Sequence, residues 1–126
     1  MYELTVTGKF AAAHRLRNFK GRCEALHGHN WRVEVVVRGI RLDQADLLMD
    51  FGELKKLMNQ VLDELDHHYL NEVPPFDQVN PSSELIAKYL FEKIAPRLPQ
   101  GVEMARASAW ESDNSRATYL GGDQPT

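Results

Sequence analysis

Apolar and polar positions change period several times along the chain. From Tyr2 to Phe10, Leu4 and Val6 alternate with Thr5 and Thr7, which predicts a half-buried strand. Trp31 to Ile40 (WRVEVVVRGI) is β-branched and nearly continuous in apolar character, as a central strand is. A turn at residues 43–46 leads into Leu47-Leu48-Met49, a candidate short extra strand. The period then becomes helical. Phe51, Leu54, Leu57, Met58, Val61, Leu62 and Leu65 form one apolar stripe, and the spacing predicts a helix over about 51–66. Asp50 with Glu53 has the form of a capping box, Asp replacing the usual Ser or Thr.

A loop rich in Pro and Asn, from Asn71 to Pro81, precedes a second helix whose buried face is Leu85, Ile86, Tyr89, Leu90 and Ile94. Asn80 is its expected cap and Pro81 its first residue, while Pro96 and Pro99 stop it. Residues 102–110 and 116–120 read as two further strands around a turn at 113–115. The order β-β-α-α-β-β predicts an α+β fold, a sheet with helices on one face. Residues 1–120 form one domain in this reading, with 121–126 as a flexible C-terminal tail.

Composition narrows the functional classes. The 126 residues are 43% hydrophobic and 26% charged, the profile of one globular domain. Fifteen basic against eighteen acidic residues leave no overall basic field, so neither nucleic acid nor an anionic membrane is an expected partner. Cys23 is the one cysteine, which excludes an internal disulfide framework. The N-terminus lacks a signal-peptide pattern, no apolar run reaches the roughly 18–20 residues of a membrane span, and a cytoplasmic location is expected.

The histidines carry the sharpest chemical signal. His27-Gly28-His29 in an extended chain sends both imidazoles to one face. His14, at the end of the first strand, lies close to them if that strand pairs with the one beginning near Asn30. Three neutral imidazoles with one open position suit a catalytic zinc ion. Cys23, four residues before His27, fits either a fourth ligand closing a structural site or a thiolate general base or nucleophile. Taken alone, each of these residues also has an ordinary structural reading, as has Asp66-His67-His68 at the helix end, where a histidine complements the dipole and an Asp-His pair fixes a tautomer for proton transfer. Arg15, Arg17, Lys20 and Arg22 form an acid-free cluster that suits a solvated loop or the anionic group of a metal-bound substrate. Glu111 offers a carboxylate able to take a bidentate N–H edge. Ser82, Ser83 and Glu84 open the second helix as caps and dipole partners.

In order along the chain, Ala12-Ala13-His14-Arg15-Leu16, Cys23-x-x-x-His27-Gly28-His29-Asn30, Met49-Asp50-Phe51-x-Glu53-Leu54-Lys55, Leu65 to Asn71, Asn80 to Glu84, and Glu111 resemble the 6-pyruvoyltetrahydropterin synthase family over residues 2–120. The three-residue gap after Cys23 is most similar to the branch forming 6-carboxytetrahydropterin, a queuosine precursor. Ser82 stands where the family often has Thr. The resemblance implies a tunnelling fold, homohexamers built as dimers of trimers, and active sites between subunits. It implies zinc on His14, His27 and His29, a catalytic triad of Cys23, Asp66 and His67, and pterin contacts through Glu111, Ser82, Ser83 and Glu84; Arg15, from the basic cluster, is a further substrate-binding candidate. The implied substrate is 7,8-dihydroneopterin triphosphate. Formation of pyruvoyltetrahydropterin, or a non-catalytic Cys/His3 zinc module, are the alternatives.

Overall fold

The computed structural model describes residues 1–22 and 24–122. Four strands, β1 (Tyr2–His14), β2 (His27–Gly39), β3 (Glu103–Ser112) and β4 (Ser115–Tyr119), form one antiparallel sheet in the order β1-β2-β3-β4. Two helices, α1 (Phe51–Leu65) and α2 (Ser83–Ile94), sit between β2 and β3 in the chain. Both pack on the face carrying Val6, Phe10, Trp31, Val33, Val35, Val37 and Ala107, which are buried with Leu54, Met58, Leu62, Ile86 and Leu90. The α+β architecture expected from the periodicity is the one observed. No helix is long and apolar enough to cross a membrane among the described residues.

Several local readings need correction. The first two strands run farther toward their shared end than alternation indicated, because β1 and β2 stay in register from Tyr2↔Gly39 to His14↔His27. Residues 47–49 are not a strand. Asp43 accepts from the backbone N–H groups of Ala45 and Leu47, and its own N–H donates to Leu47 O, which closes a loop instead. Asp50 caps α1 in position only, with no side-chain bond, so the capping box does not form. Phe51 is exposed although it lies in the apolar stripe. The cap of α2 is Ser82, whose Oγ accepts from Leu85 N at 3.2 Å. Asn80 is drawn away by the backbone of Arg17, and Pro81 therefore precedes the helix. Of the expected tail, residues 123–126 lie outside the described residues.

One glycine is fixed by close backbone approach. A Cβ at Gly39 would lie 2.6 Å from Gly101 O and 2.5 Å from Leu48 Cδ1, whereas one at Gly8 would meet only the side-chain ends of Leu62 and Met58, at 2.8 Å. A main-chain oxygen cannot rotate aside as a side chain can. Gly39→Ala should therefore lower stability by about 1–3 kcal/mol and Gly8→Ala by less, read from urea unfolding midpoints.

Candidate metal centre

The antiparallel register sets His14 directly opposite His27, and alternation along β2 brings His29 to the same face. His14 is 1% exposed, and its ring packs edge-on against Trp31, as does that of His29. Tautomers follow from the partners. His14 Nδ1 lies 2.8 Å from Pro81 O, and His27 Nδ1 lies 2.9 Å from Ala25 O. A carbonyl only accepts, so both Nδ1 atoms carry the proton when the rings are neutral, and both Nε2 atoms present lone pairs. Those two Nε2 atoms are 3.0 Å apart.

His29 Nε2 is buried without a hydrogen-bond partner, although Glu111 Oε1 lies 2.9 Å away. The same carboxylate oxygen is 3.3 Å from His14 Nε2 and 3.7 Å from His27 Nε2. Burial holds the His29 imidazole below the ordinary histidine pKa, with His14 and His27 acting in the same direction and Glu111 opposing. The inward lone pairs of His14 and His27, the His29 nitrogen and a carboxylate oxygen, all within 4.8 Å of one another, fit a divalent cation in donor type and spacing. About 3.3 Å between nitrogens is what tetrahedral Zn–N bonds near 2.05 Å require.

Glu111 enters this cluster through a bulge. Trp110 pairs with Arg116 and Ser112 with Ser115, so Glu111 is the extra residue of β3, and bulges re-aim side chains in this way. Its position against the imidazoles was not legible as a ligand signal, since bulges leave no reliable pattern in the sequence.

The other candidate residues fall in distinct places. Asp66 ends α1, and its Oδ1 accepts from Ala11 N at 2.9 Å while Oδ2 lies 2.9 Å from His67 Nδ1. His67 has a left-handed φ of 58°, its N–H donates to Ala11 O, and its side chain is 81% exposed. The dyad is thus pinned to β1 three residues before His14, with its ring turned outward. Ser82 is committed to capping, while Glu84 is exposed and Ser83 half-buried. Cys23 lies outside the described residues.

The basic cluster is divided. Arg17 donates to Val79 O, Asn71 O and Phe76 O, so its guanidinium ties together the loop before α2. Asn71 brackets the backbone N–H and C=O of Arg15, and Asn80 brackets those of Arg17, as a neighbouring strand would. Sequence reading missed both asparagine clamps. The side chain of Arg15 is exposed, and it enters no ion pair among the described residues.

With this geometry in view, comparison with known proteins is decisive. The family profile "6-pyruvoyl tetrahydropterin synthase" matches residues 3–122. The chain belongs to that family. It is 39% identical to the dihydroneopterin monophosphate aldolase of Pyrococcus furiosus over 104 residues, 82% of this chain and 84% of that one. It is 33% identical to a putative 6-carboxy-5,6,7,8-tetrahydropterin synthase of Archaeoglobus fulgidus, covering 89% of this chain and 90% of that one. The 6-pyruvoyl tetrahydropterin synthase structure from Caenorhabditis elegans superposes with a TM-score of 0.79 at 28% identity, covering 96% of each chain. The family's tunnelling fold, expected from the six motifs, is therefore the fold of this protein.

Two outcomes test this site. The Ala11 N–H, followed by His67, holds the Asp66 carboxyl below the ordinary carboxylate range. A carboxyl with a lowered folded-state pKa adds stability above its unfolded pKa and loses it as pH falls through the folded value. The Tm difference between wild type and Asp66→Asn should thus be constant above about pH 5 and shrink toward pH 3, by circular dichroism. Arg17→Ala, which removes three donated bonds, should cost about 1–3 kcal/mol in urea unfolding; a phosphate-binding role alone would leave stability unchanged.

Proposed function

We propose that this protein is a zinc-dependent lyase that converts 7,8-dihydroneopterin triphosphate and water to 6-carboxy-5,6,7,8-tetrahydropterin, acetaldehyde and triphosphate, in the supply of a queuosine precursor. The observation that carries the reading is the convergence of His14, His27 and His29, with the Nε2 lone pairs of His14 and His27 facing inward and the buried His29 Nε2 unpartnered. Membership of the family and the relatives that bear carboxytetrahydropterin synthase names support it.

His14, His27 and His29 would hold the metal, which when bound polarises the hydroxyl oxygens of the substrate side chain and acidifies the neighbouring C–H bonds. Hydrogen bonds to Pro81 O and Ala25 O orient two of these rings and fix their tautomers, as outer partners of metal ligands do. Cys23, as thiolate, is assigned removal of a side-chain proton. His67 is assigned the second proton transfer, with Asp66 beside its Nδ1 to orient the ring. Glu111 is assigned the 2-amino and N3 edge of the pterin. Its carboxylate already lies beside the imidazoles, which puts pterin anchoring and ligation within reach of one side chain. Ser83 and Glu84, on the helix start beside Pro81, are assigned further pterin contacts, with Ser82 supporting them as the cap and Arg15 near the substrate.

The outward ring of His67 supports a catalytic site completed between subunits, in the hexamer, a dimer of trimers, implied by the resemblance. The domain of residues 1–120, the tail beyond it and a cytoplasmic location belong to the same proposal.

A second reading, aldol cleavage of dihydroneopterin monophosphate, is favoured by the name of the Pyrococcus furiosus relative. Pyruvoyltetrahydropterin formation is a third outcome of the same experiment. Purified protein incubated with dihydroneopterin triphosphate and with its monophosphate, followed by mass spectrometry, separates them. Acetaldehyde with a 6-carboxypterin product is expected, and cleavage of the monophosphate alone would replace the proposal with the aldolase. His29→Ala should reduce zinc content and turnover together; unchanged zinc by elemental analysis would remove His29 from the ligand set.

A further inference from the structure

Only part of the basic segment is engaged in holding the fold. Arg17 is committed to three carbonyls, while Lys20 and Arg22 enter no ion pair among the described residues. Both sit on a tight turn, Phe19–Arg22, closed by Arg22 N donating to Phe19 O at 3.1 Å. Lys20 has φ 53° and Gly21 φ 81°, so both central residues are left-handed, as in the reversed turns of hairpins. Asn, Asp or Gly takes such a position with less strain than Lys. The Lys20 ammonium lies 5.3 Å from the centre of the Phe19 ring, a cation–π contact that holds the charge at the turn.

This turn walls a cavity of about 580 Å³ lined by Phe19, Lys20, Arg22, Glu24, Ala25 and His27. That volume is in the range of small-molecule sites. Its one acid, Glu24, accepts from Leu16 N at 2.9 Å through Oε1 and so helps shape the loop. His27 belongs to both the cavity wall and the imidazole cluster. A ligand held at the cluster by its side-chain oxygens can therefore extend a trailing anionic group toward two cations.

We propose that Lys20 and Arg22 form the subsite for the substrate's phosphate chain and set the preference for phosphorylated over unphosphorylated pterin. This rests on the pterin phosphate reading above. The ammonium supplies a compact point charge and the guanidinium a planar fork for phosphate oxygens.

The test uses Lys20→Ala/Arg22→Ala beside Lys55→Ala/Lys56→Ala, which removes the same charge from the exposed side of α1. In steady-state turnover the first variant should raise KM for dihydroneopterin triphosphate about tenfold or more. Its kcat, and its Kd for unphosphorylated dihydroneopterin by fluorescence titration, should be unchanged, and the control should match wild type. A separate arm titrates each protein with magnesium tripolyphosphate by calorimetry, independently of any reaction. Binding lost in the Lys20/Arg22 variant and kept in the control supports the subsite even if no pterin is turned over, a result that would sink only the functional reading. Equal tripolyphosphate binding by all three proteins, or equal KM values, overturns the subsite. A parallel loss in both variants would reduce the effect to net charge and overturn it as well.

Discussion

The interaction on which the site depends is one that its nitrogens cannot make with each other. Two imidazoles, each donating its Nδ1 proton to a backbone carbonyl, face one another through unprotonated Nε2 atoms 3.0 Å apart. A third, His29, joins them with a buried nitrogen that has no hydrogen-bond partner. Lone pairs so placed repel, and the usual remedy for a buried polar atom, a donor from the protein, is missing. A cation satisfies all three at once. The Nδ1 hydrogen bonds leave the His14 and His27 rings little freedom to turn away from it.

The fold holds that arrangement by joining segments far apart in the chain. β1 and β2 bring His14 to His27, the start of α2 supplies Pro81 O, and the bulge of β3 delivers Glu111. Beyond β1, the chain continues as though in a sheet although no strand among the described residues lies beside it. Asn71 and Asn80 each offer one acceptor and one donor to the backbone of Arg15 and Arg17, replacing the missing ladder with side chains. A charged guanidinium then gathers three carbonyls of the facing loop. The imidazole cluster thus rests on hydrogen-bonded scaffolding as much as on the apolar layer beneath Trp31.

The Asp66–His67 dyad obeys a different constraint. Its backbone and carboxylate are tied to Ala11, yet the His67 ring projects into solvent from a left-handed residue. Uncommon backbone of this kind persists where neighbouring bonds over-determine it, and such places cluster at functional sites. The Asp66 carboxylate beside Nδ1 favours one tautomer of that ring while leaving the ring open to solvent.

Much was legible from residue order. Alternation, apolar runs and turn signals located the four strands and the 3.6-residue period the two α-helices, because burial on one face imposes such patterns on the sequence, although the strand expected at residues 47–49 is a loop. The H-x-H spacing and the pairing of the first two strands placed the three imidazoles together, since antiparallel register follows once the strands adjoin. The six ordered motifs indicated the family, which the profile match then established. What pattern could not supply was competition for partners. Asn80 has the local chemistry of a helix cap, but the Arg17 backbone, 63 residues away, captures it. Phe51 fits the apolar stripe but has no core to enter. Arg17 looks like its cationic neighbours until three distant carbonyls claim it. Glu111 turns toward the imidazoles because one extra residue in β3 re-aims it. Local sequence fixes what a side chain is able to do; only the folded chain decides which of several able partners comes within reach.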